Sequence, residues 1–459
     1  MTTIHVCNSR LCYYQIADFR TTFLIAACID RTGLLYYRIK SVVNSLPGPC
    51  AGALSRRKGE AYMQPVEIRP DLYWIGSQDP DLRTFDDLFP TEHGTTYNSY
   101  LVKGTEKIAI IDTVKAKRTD EFMDKVKSLV DPAKVDYLVV NHTEPDHSGA
   151  ISYLLEHSPN AVVYCTTAAR NFLTNQLHRP FTCQTVKDGD IIDLGGRKLR
   201  FILAPFLHWP DTMFTRLEEE NILFSCDAFG AHFCAPGKLY NDETDDITSA
   251  RHFYFDTIFR PFKDKVLSAV EKIRHDVIDM ICPSHGPIIR KDPWRAIQQF
   301  ETWSKPPTNS RKIYVLYLSP HGNTELMAKA VAQGAAIDGV EVISYHTNHL
   351  STAELRNLME EASGFIFGVP TIARDIPPPI WELFAYLTTV KLKTNIAGVF
   401  GSYGWSGEAC KMAEDRLKGI GFRIPVPSVR ACFKPTAEVL EQCEALGRGV
   451  AEQVLARGQ

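Results

Sequence analysis

At 459 residues the chain is long enough for two or three domains, each with a complete hydrophobic core. Its 44% hydrophobic and 23% charged residues are ordinary for a globular protein, and a formal net charge of -3 argues against a dedicated nucleic-acid binder. Twelve cysteines lie scattered without any C-x-x-C pair, which excludes a rubredoxin-like iron site or a zinc ribbon and suits free thiols in a reducing cytoplasm.

Residues 1–62 stand apart from the rest of the chain. Their longest apolar run, Phe23 to Ile29, is too short to span a bilayer and ends at Asp30 and Arg31, so no membrane association is expected. The run begins late and lacks a strongly basic start, which makes it a poor secretory signal. A cleaved organellar leader is the lesser alternative. The preferred reading is an extension with no functional module, translation starting at Met63.

From 63 to 303, short strand-like runs alternate with helical patterns. Tyr97 to Leu101, Ile108 to Ile111 and Tyr137 to Val140 read as strands, and Asp120 to Val130 as an amphipathic helix stopped by Asp131 and Pro132. Ala161 to Cys165 and Arg200 to Pro205 continue the pattern, which suits two sheets sandwiched between helices, with loops gathered at one rim.

One of those loops organises the whole. Directly after Tyr137 to Val140, the chain packs four potential metal ligands, His142, Glu144, Asp146 and His147, into six positions. A solvated polar turn accounts for any one histidine; four ligand types together after a buried strand point to metal. Pro145 disfavours the α region for Glu144, which argues against a helical display and for an extended one. His142 and Glu144 then share one ion, while Asp146 and His147, beyond the proline, turn toward a second. Two ions need further ligands, and three later strand-like runs end in His208, Asp227 and His285. His232 and Tyr240, just beyond Asp227, are candidates for supporting positions around the ligands.

Residues 304–311, polar and carrying two prolines, read as a linker to a second domain, 312–459. There Ile313 to Leu318 leads into Ser319, His321, Gly322, Asn323 and Thr324 and then a helix, an arrangement that receives a phosphate at the helix N-terminus. Gly364 to Val369 leads into Pro370, Thr371 and Ile372, and Ile396 to Phe400 into Ser402, Tyr403, Gly404, Trp405, Ser406 and Gly407. Ligands bind outside the carboxyl ends of such strands, and Tyr403 and Trp405 offer flat faces to an aromatic ring. An amphipathic helix, about Thr436 to Leu455, closes the chain.

The first set of motifs, His-x-Glu-x-Asp-His with the segments around His208, Asp227 and His285, resembles the metallo-β-lactamase-type module of flavodiiron proteins, and the three later loops resemble a flavodoxin module. The resemblance runs from about Met63 to the C-terminus. It implies an α/β chain, an N-terminal αββα metallo-β-lactamase-like sandwich followed by a doubly wound flavodoxin-like parallel sheet. It implies two non-haem irons, one held by His142, Glu144 and His208, the other by Asp146, His147 and His285, with Asp227 bridging. It also implies FMN in the second domain, although His321 stands where related proteins often have Trp or Tyr. Zinc hydrolases of the same fold resemble this motif with a histidine at the Glu144 position, and the carboxylate makes the ligand set harder and suited to iron.

The resemblance further implies reduction of dioxygen to water, nitric oxide to nitrous oxide, or both, at the diiron site. Electrons would come from a separate donor, such as a rubredoxin or a reductase, within a head-to-tail homodimer or a dimer of dimers. The alternatives are a metallo-β-lactamase-fold hydrolase with an accessory flavodoxin domain, and a redox-sensing module without turnover.

Overall fold

The computed structural model describes residues 64–306 and 311–456, with the backbone of four strands before them. Met63 and residues 307–310 of the expected linker lie outside these. The four early strands, Thr3–His5, Leu11–Asp18, Thr21–Ile29 and Leu35–Val42, pair antiparallel in sequence order within a unit of their own, Met1–Arg57. Among the described residues, no helix is long and apolar enough to cross a membrane.

The second unit begins with two facing sheets. Seven strands make the first, in the order Cys183–Thr185, Val162–Cys165, Tyr137–Val140, Ile108–Ile111, Tyr100–Lys103, Leu72–Trp74 and Val66–Arg69. Five make the second, Ile191–Asp193, Lys198–Leu203, Met213–Leu217, Ile222–Cys226 and Met280–Pro283. Alternation along the strands builds the layers. Ala109, Ile111 and Val139 meet Phe201, Met213 and Phe224 between the sheets. Ile110, Leu138 and Val140 point the other way, onto Phe122, Met123 and Val126 of the helix Thr119–Leu129. Phe255, Phe259 and Phe300 cover the outer face of the second sheet, completing an αββα sandwich. Each large side chain withdrawn from water contributes about 2 kcal/mol, which is why the strands are apolar on both faces.

Tyr97 to Leu101 does not form the single strand expected. Thr95–Tyr97 pairs with Ser77–Asp79, and the main-sheet strand starts only at Tyr100. Asn98 causes the break: its amide nitrogen donates to Pro283 O at 2.8 Å and Gly286 O at 2.9 Å, strapping the segment to the loop that carries His285.

The remaining five strands are all parallel, in the order Glu341–His346, Lys312–Tyr317, Ala362–Gly368, Ala397–Tyr403, Val429–Cys432. This is the 2-1-3-4-5 order of a doubly wound flavodoxin-like sheet. Ile313 and Val315 pack against Met327, Val331 and Val450 on one face, while Tyr314 and Leu316 meet Leu355 and Leu383 on the other. The closing helix Ala437–Ala456 lies tight against Asn323–Ala335, because a Cβ at Gly447 would fall 2.0 Å from Val331 O. A buried ion-pair cluster joins this half to the sandwich: Glu360 lies 2.9 Å from Arg260 Nε and 2.6 Å from Lys263 Nζ.

Candidate metal centre and flavin cavity

All seven expected ligands lie where strands of the sandwich end. His142 follows Val140, the end of a central strand, by two residues; Asp227 follows Cys226, and His285 follows Pro283. His208 sits in the connection between Lys198–Leu203 and Met213–Leu217. Asn141 clamps the first of these loops, its backbone amide donating to Asp112 at 2.7 Å and its side-chain oxygen accepting from Thr215 at 2.7 Å.

Pro145 acts differently from expectation. Glu144 is extended (φ -55°, ψ 141°), as a residue before proline should be, but Pro145–Ser148 is one turn of α-helix with Pro145 as its first residue. Proline fits there because the missing N–H would have no intrahelical partner anyway. The switch at Glu144 still separates the ligands into two groups: donor atoms of His142, Glu144, His208 and Asp227 lie within 4.8 Å of one another, as do those of Asp146, His147 and His285.

Asp227 stands between the groups. Its Oδ2 is 3.6 Å from His208 Nε2 and 3.8 Å from His142 Nε2, while Oδ1 is 3.0 Å from His147 Nε2 and 3.4 Å from His285 Nε2. Glu144 Oε2 lies 3.1 Å from His208 Nε2, and Asp146 Oδ2 lies 3.0 Å from His285 Nε2. Two ligand atoms each about 2.1 Å from one ion, at right angles, stand roughly 3.0 Å apart, so these spacings suit a pair of coordination spheres. Both oxygens of Asp146 and both ring nitrogens of His147 are buried, and the close contacts of Asp146 and His147 with each other, Asp227 and His285 lack hydrogen-bond geometry. Burial opposes charge on these imidazoles, yet Asp146 and Asp227 raise His147 to about 10, and Asp211 and Glu144 hold His142 well above the ordinary value. The field of these four carboxylates therefore favours cations at this point.

Residues the sequence did not single out hold the ligands in place. Asp211 lies 3.2 Å from His142 Nδ1, and Thr96 O lies 2.6 Å from His285 Nδ1. The Tyr254 hydroxyl donates to Asp227 Oδ1 at 3.2 Å. Of the two supporting candidates, His232 is present, 3.0 Å from Thr95 Oγ1 and with its ring 5.0 Å from that of His285. Tyr240 is not: its ring lies under the Arg290 guanidinium, 3.6 Å away, in the core between the sheets. The centre opens into a cavity of about 850 Å³ walled by Phe85, Leu88 and Phe253 and, from the C-terminal half, Arg356 and Tyr386.

A second cavity, about 330 Å³, lies at the carboxyl ends of the parallel strands. Ser319, His321, Asn323, Thr324, Pro370, Thr371, Ile372, Ser402, Tyr403, Gly404 and Trp405 line it, joined by Phe433, which sequence reasoning missed. Gly322, Ser406 and Gly407 do not line it. Gly322 takes φ 78° to turn the chain into the helix, Ser406 bonds Glu408, and Gly407 lets the chain pass close under Tyr403, whose ring would stand 2.9 Å from an added Cβ. Thr324 and Ser402 hydroxyls, 2.8 Å apart, tie the start of the helix Asn323–Ala335 to the end of the strand Ala397–Tyr403. Trp405, Phe433 and Ile372 keep 76%, 64% and 46% of their surface exposed around this cavity, apolar area that a flat ring would cover.

Residues 95–286 match the family model described as ODP family beta lactamase, and residues 315–447 match flavodoxin. The type A flavoprotein of Rhodobacter capsulatus is 37% identical, over 86% of this chain and 92% of its own. A flavo-diiron protein of Clostridium acetobutylicum is 35% identical over 85% and 100%, and a nitric oxide reductase of Moorella thermoacetica 37% identical over 85% and 99%. Among solved structures, the rubredoxin oxygen:oxidoreductase of Desulfovibrio gigas is similar with a TM-score of 0.63 and 30% identity, over 86% of this chain and 99% of that one. The chain belongs to the flavodiiron proteins.

A flavodiiron protein carries a non-haem diiron pair and FMN, and the donor sets here fit both. The carboxylate-rich, cysteine-free cluster suits iron. The helix Asn323–Ala335 begins at the flavin cavity, its Glu325 amide donating to Ser319 Oγ at 3.0 Å, and the positive end of its dipole is a fitting place for a phosphate.

Proposed function

We propose that this flavodiiron protein is an oxidoreductase that reduces dioxygen to water, nitric oxide to nitrous oxide, or both, using electrons from a separate rubredoxin-type or reductase donor. The carrying observation is Asp227, whose two oxygens face two different ligand groups. When bound, the iron pair supplies redox equivalents and positions for a diatomic gas, and FMN relays electrons singly.

The chain's residues do the rest. His142, Glu144 and His208 would hold one iron and Asp146, His147 and His285 the other, with Asp227 placed between the two groups to serve both. Asp211 and Thr96 fix the rotation of the His142 and His285 rings. Burial and the neighbouring His285 hold His232 well below the ordinary imidazole range, so it meets a gas in the cavity as a neutral group. Phe85, Leu88 and Phe253 make part of the walls apolar, which suits a small uncharged molecule. In the second cavity the start of helix Asn323–Ala335 would receive the FMN phosphate, and Tyr403 and Trp405 would offer their faces to its ring.

A head-to-tail dimer or a dimer of dimers brings one chain's flavin to its partner's metal centre, and the protein works in the cytoplasm. The hydrolase alternative is disfavoured by Glu144, which sits inside the ligand cluster where a zinc hydrolase of this fold resembles the motif with histidine.

Anaerobic stopped-flow tests the proposal. Reduced FMN in iron-loaded protein is reoxidised on mixing with dioxygen or nitric oxide, and in metal-free protein it is reoxidised far more slowly. Equal rates in the two preparations would overturn it. Steady-state turnover with each gas and one common donor then ranks the substrates.

A further inference from the structure

Away from both sites, two thiols stand in contact. Cys165 ends the strand Val162–Cys165, Cys183 begins the edge strand Cys183–Thr185, and their sulfur atoms are 3.5 Å apart. Val163 is opposite Cys183 and Cys165 opposite Thr185, so the thiols meet diagonally, leaning toward one another along the strands. Their surroundings differ. Cys165 is fully buried beside Val163, Ala169 and Leu173, whereas Cys183 is half-buried at the sheet edge.

That asymmetry divides the chemistry. The hydrogen bond from Cys165, helped by the charge of Arg170, holds Cys183 below the usual thiol range against the effect of burial. Contact with Cys183 and burial push Cys165 upward, so it stays a thiol. A reachable thiolate backed by a protonated neighbour is the arrangement of a peroxide-sensitive pair.

We propose that Cys165 and Cys183 are a dithiol modification site that hydrogen peroxide oxidises to a disulfide. The Cys183 thiolate attacks peroxide; an S–O bond forms, the O–O bond breaks, and the departing hydroxide takes a proton to become water. The Cys165 sulfur then attacks Cys183; the S–S bond forms, the S–O bond breaks, and the second water leaves with the Cys165 proton. Two thiols and one peroxide become one disulfide and two waters, a balanced two-electron exchange. The sulfurs must close from 3.5 Å to about 2.05 Å. The three-residue strand Cys183–Thr185, paired on one side only, is the element free to make that shift.

The test treats the reduced, full-length holoenzyme with hydrogen peroxide and maps its peptides without reductant. The exposed Cys432, outside the pair, is the internal standard. Expected is a Cys165–Cys183 cross-link forming about tenfold faster than Cys432 oxidises. In Cys165→Ser, Cys183 should instead accumulate as a sulfenic acid captured by dimedone. If Cys183 in the wild-type protein oxidises no faster than Cys432, or passes to the sulfinic acid without the cross-link, the proposal fails.

Discussion

Asp211 lies 3.2 Å from His142 Nδ1 and is itself fixed by Thr143, whose backbone amide and hydroxyl each donate to it at 2.8 Å. A buried carboxylate so placed sets both the tautomer and the rotation of the ring, leaving Nε2 for the ion. Asp211→Asn keeps the volume and removes the charge. Iron affinity is expected to fall about 10- to 100-fold, read as iron retained per chain against a graded chelator, with FMN content unchanged.

Glu144 makes the first ligand group anionic. Glu144→His replaces that carboxylate with imidazole, and the expected outcome is a shift of metal content from iron toward zinc in protein produced with both available. Elemental analysis checks it. An unchanged iron to zinc ratio would show that Glu144 does not set the preference.

Gly401 permits a close approach beneath the flavin loops. A Cβ there would lie 2.0 Å from Val369 O and 3.0 Å from Cys410 Sγ, forcing apart the segments that carry Thr371 and Ser402. Gly401→Ala is expected to weaken FMN binding at least about tenfold, measured by fluorescence titration, while iron content holds.

How much of this was legible beforehand depended on where each group lies. Tyr137–Val140 and Ile108–Ile111 have the bounds expected, because an apolar, β-branched run is what a strand covered on both faces requires. The seven clustered residues were readable because each closely follows a strand-like run. Tyr254 was not: it reaches Asp227 from a helix, Thr248–Tyr254, whose placement follows from packing rather than from spacing in the chain. Asp211 did carry a signal, a carboxylate three residues after His208, but its partner is His142, 69 residues away. Tyr240 misled for the opposite reason. Nearness to Asp227 in sequence is undone by the turn at Gly237 (φ 71°), after which the chain runs into the core. In the second half, Gly322 and Gly407 were read as members of the ligand-binding loops, yet they shape the backbone around the cavity and do not line it.

Glu360 is the buried anion in the contact between the two halves of the second unit, which Lys391 and Asp264 also bridge. It is 6% exposed and bound by Arg260 and Lys263, so Glu360→Ala leaves the buried Arg260 guanidinium, among the described residues, with Asp256 and Asn357. The expected loss of stability is about 3 kcal/mol, observed in denaturant unfolding followed by tryptophan and flavin fluorescence together. Coincident wild-type transitions that separate in the variant would show that this cluster couples the halves.

The most direct measurement is anomalous X-ray diffraction at the iron edge from crystals of the protein as isolated. The account predicts two iron peaks, one bounded by His142, Glu144 and His208 and the other by Asp146, His147 and His285, with one oxygen of Asp227 directed at each. A single peak, peaks that belong to zinc, or an Asp227 carboxylate turned away from the space between them would contradict it.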